Sequence, residues 1–181
     1  MSNLDWYTAR AAGIVAYALI TSGGLLGVLL SGRARLKRWP AFAITDVHRF
    51  VGLLAGTFVA IHVLAVWLDS VVHFTLVQLV VPGAASYRPF WVALGTISAE
   101  LLVAVALTNV LRKRLGFARW KRWHYLTFVL WAASTAHGIG TGTDATEQWV
   151  RLLYVSSVGC VAGAVIWRLG RAAAVPARAR S

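Results

Sequence analysis

Four histidines stand in two apolar segments of this chain, one pair in each, at nearly equal spacing. His48 and His62 are fourteen residues apart, and His124 and His137 are thirteen apart. A helix rises about 1.5 Å per residue, so each pair spans roughly 20 Å of a ~30 Å hydrocarbon core. An ionisable side chain inside a spanning segment is expensive and reads as functional by default. A single membrane histidine is as readily explained by an interhelical hydrogen bond. Two matched pairs on neighbouring helices instead offer an imidazole from each wall at two depths. Such a set provides both axial ligands of two stacked hemes and leaves no iron position open for oxygen or substrate.

The spacing carries a geometric tension. Fourteen residues turn an ideal helix by about 1400°, roughly 40° short of four turns, so His48 and His62 share a face. Thirteen residues turn it by about 1300°, roughly 140° short, so His124 and His137 diverge. Tilt, overwinding or approach to the two hemes from different sides must absorb the difference. Gly138, Gly140 and Gly142 follow His137, and the helix is expected to loosen there.

The elements that must hold these side chains are membrane helices. Of 181 residues, 59% are hydrophobic, which predicts an integral membrane protein of one domain. Five apolar runs reach spanning length: about Ala11–Leu30, Val47–Leu68, Trp91–Leu111, Trp123–Gly138 and Trp149–Leu169. The fold expected is an all-α, five-helix transmembrane bundle over residues 1–170. Two stacked hemes are expected between its second and fourth helices. Residues 171–181 form a disordered basic tail on the cytoplasmic side. No cleavable signal pattern precedes the first run, which reads as a retained helix. Asp69 to Pro89 reads as an outer loop. Its apolar stretch Val71–Val81 is too short to span and is expected to lie in the interface or cover the outer heme. The one cysteine, Cys160, excludes an internal disulfide and a cysteine-ligated iron–sulfur cluster.

The net charge of +12 would suit nucleic acid, but its distribution argues against that partner. Arg33, Arg35, Lys37, Arg38 and Arg49 mark the first connection; Arg112, Lys113, Arg114, Arg119, Lys121 and Arg122 the third; Arg168, Arg171, Arg178 and Arg180 the tail. Together they make fifteen of the eighteen basic residues. Only Arg10, Arg88 and Arg151 fall on the other side. The positive-inside rule then predicts a multi-pass protein of a bacterial plasma (inner) membrane, N-terminus outside and C-terminus cytoplasmic. The second and fourth helices run parallel, which pairs His48 with His124 near the inner face and His62 with His137 toward the outer face.

Other residues are candidates for support. Heme propionates need positive partners. Arg49 follows His48, and Arg119, Lys121 and Arg122 precede His124; they are either partners of an inner heme or topology signals. Arg88 and Arg151 are the corresponding candidates outside. His73 in the outer loop is either an exposed side chain or a contact to the outer heme or an acceptor. Gly52 and Gly56 would let a macrocycle approach the backbone, or else serve helix packing, as Gly23/Gly27 and Gly159/Gly163 also would. Trp91, Trp120, Trp123 and Trp149 read as interfacial anchors, and Trp67 and Trp131 as possible heme neighbours. Glu100, near mid-span in the third run, reads as a neutral buried carboxyl or part of a proton route.

The segments HRFVGLLAGTFVAIH and RLGFARWKRWHYLTFVLWAASTAHGIGTGTD resemble the ferric reductase-like transmembrane superfamily, in particular its bacterial branch. That group includes ferric reductases, NADPH oxidases and the heme-binding membrane subunit of methionine sulfoxide reductase. The resemblance rests on the two histidine spacings with one span between them and covers about Val47 to Asp144. It implies two b-type hemes held by His48, His62, His124 and His137, with electrons moving outward. NADPH oxidases have six spans in this domain, against five counted here, and no flavin- or nicotinamide-binding domain is seen. The function expected is that of an oxidoreductase membrane component. It would carry electrons from a cytoplasmic flavoprotein reductase or membrane quinol to ferric iron, oxygen or an outer-side redox partner. The alternative is a quinol-linked cytochrome b anchor subunit of a respiratory oxidoreductase. A channel or transporter using membrane histidines is a third reading, disfavoured by the two-depth pairing.

Overall fold

The computed structural model describes residues 4–32, 40–70 and 72–174. They form eight helices: α1 (Leu4–Ser31), α2 (Ala41–Leu68), α3 (Leu76–Val80), α4 (Pro89–Val110), α5 (Arg112–Leu115), α6 (Phe117–His124), α7 (Leu126–Thr141) and α8 (Gln148–Ala173). No strand occurs among the described residues. Four of the helices, α1, α2, α4 and α8, are long and apolar enough to cross a bilayer, as expected of a multi-pass membrane protein. Their outer faces are apolar: Leu53 on α2, Val110 on α4 and Val155 on α8 are each at least 70% exposed, which suits lipid rather than water.

The fourth predicted span, Trp123–Gly138, is not among these four. The chain breaks at Tyr125, whose N–H reaches both Lys121 O (3.3 Å) and Arg122 O (3.2 Å), while Phe128 N–H bonds Tyr125 O at 3.1 Å. The break leaves α7 with 16 residues, about 24 Å of helix and short of the ~30 Å core. It also supplies part of the rotation that the thirteen-residue spacing lacks. Bonds to the third rather than the fourth residue wind the chain at 3.0 residues per turn, about 20° more per residue than an α-helix, and so add rotation in the direction needed. The irregularity therefore follows His124. It does not lie at His137, where the helix continues to Thr141. The glycines there admit rings instead: a Cβ on Gly138 would strike the Tyr154 hydroxyl, and one on Gly140 the indole of Trp91.

Local sequence explains several other boundaries. α4 starts with Pro89 as its first residue, after Arg88 in the left-handed region at φ 43°. Gly116, at φ 74° and ψ 159°, separates α5 from α6 in a conformation that only glycine adopts without strain. α3 is opened by a capping box between Thr75 and Gln78. It occupies only Leu76–Val80 of the apolar Val71–Val81 stretch, and Val71 lies outside the described residues. So do residues 33–39, which hold four of the inner-loop cations, and residues 175–181 of the tail. The start of that tail is helical, because α8 runs to Ala173.

Packing centres on α1. It lies antiparallel against α2 along most of its length and also touches α7 and α8, while α4 lies antiparallel against α7. Tyr17 of α1 packs on Tyr154 of α8, ring centroids 4.8 Å apart. Trp131 of α7 donates its indole N–H to Thr21 of α1 at 3.0 Å, and the hydroxyls of Thr135 and Tyr17 are hydrogen-bonded at 3.3 Å, the Thr135 proton itself going to Trp131 O at 2.8 Å. Thr21 and Thr135 are buried, so these bonds satisfy hydroxyls that lipid would leave unpaired.

Candidate functional site

The four histidines meet as two ring pairs. His48 of α2 faces His124 at the end of α6, centroids 6.1 Å apart and planes at 68°. His62 of α2 faces His137 of α7 at 6.2 Å and 81°. Between the pairs α2 and α7 run parallel. Among the described residues they do not pack closely on one another, in contrast to α1 on α2 or α4 on α7. A gap between two helices, crossed at two depths by opposed imidazoles, is the central feature of the molecule.

Three of the rings are fixed from behind. His48 Nδ1 donates to Gly23 O at 3.0 Å, His62 Nδ1 to Ala9 O at 2.7 Å, and His137 Nδ1 to Trp91 O at 2.9 Å. A carbonyl only accepts, so Nδ1 carries the proton and Nε2 of each neutral ring keeps its lone pair. Ligating histidines are oriented in this way by an acceptor on the other ring nitrogen. His124 differs. Its Nδ1 is buried and has no hydrogen-bond partner among the described residues. Its ring instead stacks on Trp120, centroids 5.0 Å apart and planes at 27°. Trp120 is itself held by Asn109, which accepts its indole N–H at 2.7 Å, and by the Arg112 guanidinium 4.2 Å from the ring centroid.

The separations suit a shared metal. An imidazole nitrogen lies about 1.1 Å from its ring centroid and bonds a transition metal at about 2.0–2.1 Å, so two rings on opposite sides of one ion have centroids roughly 6.2 Å apart. Both pairs match that value. Among the described residues no group of three or more metal-ligating side chains occurs, so each pair offers two nitrogens and no more. Two are too few for a closed tetrahedral zinc site. Two are what an iron held in the plane of a macrocycle lacks. Gly52 and Gly56, between the two α2 ligand positions, leave the helix surface there uncrowded: a Cβ on either would meet nothing within 4 Å among the described residues.

Compared with known families, curated proteins and solved structures, the chain matches none. The chemistry of the site therefore rests on its own residues.

The charged candidates divide. Arg49 and Arg122 are exposed, and Arg49 stands 3.9 Å from Asp46 in an ion pair that is itself exposed. Arg88 donates to Gly140 O and ties the start of α4 to the end of α7. Arg10, read from sequence only as an outer-side charge, grips Asp144 with both arms of its guanidinium, Nε donating to Oδ2 at 2.8 Å. It directly follows Ala9, whose carbonyl holds His62. His73 is exposed in the loop at φ 52°, and lines a cleft with Gln78, Ser86 and Tyr87. Glu100 is on the exposed side of α4 rather than buried. Trp131 is committed to Thr21, and Trp67 is 45% exposed. Gly23 packs on Val51 of α2, whereas Gly159 and Gly163 face open space.

The supporting role of α1 was missed in the sequence, although a signal is present. Gly13 and Gly27 are fourteen residues apart, the spacing of His48 and His62 on the antiparallel α2. Two helices packed side by side advance at the same rate, so equal spacings can meet.

Proposed function

We propose that this chain is a transmembrane di-heme b-type cytochrome that carries electrons from the cytoplasmic side, or from membrane quinol, to an acceptor on the outer side. The observation that carries this reading is the pair of opposed imidazoles at 6.1 and 6.2 Å in a gap between parallel helices. The resemblance to the ferric reductase-like superfamily, which rests on the spacing of the same four histidines, agrees with it. Iron porphyrin, when bound, supplies a one-electron couple without open coordination positions. His48 and His124 bind at the inner depth, and His62 and His137 at the outer depth. Fourteen helical residues separate the depths by about 20 Å, so the two centres divide the membrane into shorter transfers. The carbonyls of Gly23, Ala9 and Trp91 keep three ligand rings turned toward the gap. α6 and α7, read as one broken crossing of 25 residues from Phe117 to Thr141, complete a five-helix bundle. The loop charges favour a bacterial inner membrane with the N-terminus outside. Arg49 and Arg122 then lie at the inner end, where anionic propionates favour them; Arg88 is the outer counterpart.

The test is electron passage across a sealed bilayer. Heme-loaded protein in vesicles that enclose ferricyanide, with dithionite outside, is expected to reduce the enclosed ferricyanide. His62→Ala, which lacks one outer ligand, is expected to slow this at least about tenfold, because an outer heme held about tenfold or more weakly (about 1.4 kcal/mol) leaves most chains without the second centre. Equal rates in both proteins would remove the electron-carrier reading.

A further inference from the structure

The three carbonyl seats share a construction. The accepting residues are Ala9, Gly23 and Trp91, and four positions after each stands a glycine: Gly13, Gly27 and Gly95. The carbonyl of helical residue i already accepts the N–H of residue i+4. A second donor must therefore approach beside the Cα of residue i+4, where a side chain would stand in its path. The geometry grades the three seats. A Cβ on Gly95 would lie 2.5 Å from Nδ1 and Cε1 of His137, one on Gly13 would lie 3.0 Å from Nδ1 of His62, and one on Gly27 would lie 3.5 Å from Cε1 of His48. Gly24, beside the second seat, offers a control: its Cβ would meet nothing within 4 Å among the described residues.

The fourth ring lacks the seat. The register set by Trp91 and His137 brings residues 104–105 of α4 opposite His124. Four positions further on are Thr108 and Asn109, neither of them glycine. The Thr108 hydroxyl turns back to Val105 O at 2.8 Å, and the Asn109 side chain takes the Trp120 indole N–H. His124 Nδ1 has no partner among the described residues, as this arrangement requires.

We infer that Gly13, Gly27 and Gly95 are positioning residues. Each clears the approach by which a ligand histidine reaches the carbonyl four residues earlier, and so sets the plane and reach of that ring. The inference rests on the proposed heme reading for its consequence but not for its geometry, and the two are tested separately.

In heme-free protein in detergent, histidine 15N chemical shifts report which ring nitrogen carries the proton. His48, His62 and His137 are expected as the Nδ1–H form in the wild type. In Gly95→Ala, His137 alone should leave that form, and Gly24→Ala should change nothing. In heme-loaded protein, crossed imidazole planes give a strongly anisotropic low-spin EPR signal for each site. Gly95→Ala is expected to weaken outer heme retention at least about fivefold, as an overpacked contact does, and to shift the outer signal. The inner heme, retained, shows that the bundle is intact. Gly13→Ala should give a smaller outer loss, and Gly27→Ala an inner loss within about twofold, since its added methyl makes ordinary contact. Four variants that behave alike, or Gly24→Ala as the most damaging, would overturn the inference. A wild type with the expected tautomers but no heme would sink the cytochrome reading and leave the seats standing.

Discussion

A membrane histidine that donates through Nδ1 to a helix carbonyl has both its tautomer and its plane decided by a neighbouring backbone. Three of the four rings here are in that state, and the fourth leans on an indole. This difference makes the His48–His124 site depend on one hydrogen bond and one aromatic contact where the His62–His137 site depends on two hydrogen bonds. Trp120→Leu removes the 5.0 Å stack on His124 and with it about 0.5–1.5 kcal/mol of aromatic pairing. The expected outcome is roughly three- to tenfold weaker retention of the inner heme, with the outer heme unchanged, read from the heme spectrum during competition with a heme-binding acceptor. Equal loss at both sites would show that Trp120 acts on the fold and not on His124. The histidines were legible in the sequence because an imidazole in an apolar run has few inexpensive explanations. Their supports were not, because a backbone carbonyl leaves no mark in a sequence and a glycine in a membrane helix has an ordinary packing explanation. Arg49 and Arg122 illustrate a further limit: proximity in sequence to a ligand histidine says nothing about where a long, flexible side chain ends.

Among the elements, α1 does most of the holding. It carries two of the three carbonyl seats, bonds α7 through Thr21 and Tyr17, and near its N-terminal end forms the Arg10–Asp144 pair. That pair closes the loop after α7 onto the end of α1 that supports His62. Hydrogen bonds between charged groups contribute about 1.5–3 kcal/mol, and partial exposure (31% and 19% for the two side chains) reduces this toward 1–2 kcal/mol. Asp144→Asn is therefore expected to lower the apparent melting temperature by roughly 2–8 °C. It should also loosen the outer heme before the inner one, as followed by the heme absorbance of each site on heating. An unchanged melting curve would show the pair to be ornamental. The existence of the long helices was legible from apolar length alone, and α1, α2, α4 and α8 are at or near the runs expected. The break at Tyr125 was not. Nothing in the local residues demands it, no proline or glycine being at 123–127. It adds part of the rotation that turns His124 and His137 each toward a histidine of α2, which is a tertiary requirement.

At the scale of the molecule, the exposed apolar faces, the buried hydroxyls paired across helices and the central gap are consistent with one another. A bundle in lipid gains little from hydrophobic contact between its helices. α2 and α7 can therefore stand apart, provided that α1 and α4 hold them from outside and the gap is filled. The sequence supports this architecture through its spacing: parallel helices follow from the loop charges, and the ring pairing follows from parallel helices. It could not show that the outer helices supply the seats, because that depends on the register between α1 and α2. The central claim is that each ring pair grips one heme. The most direct measurement is the heme-to-protein ratio, with the reduced optical spectrum, of the purified chain and of His48→Ala and His62→Ala. The wild type is expected to hold about two b-type hemes and each variant about one, the retained heme differing between the two, since each pair completes one iron. A wild type without heme when heme is supplied, or variants that keep two hemes with unaltered spectra, would contradict that claim.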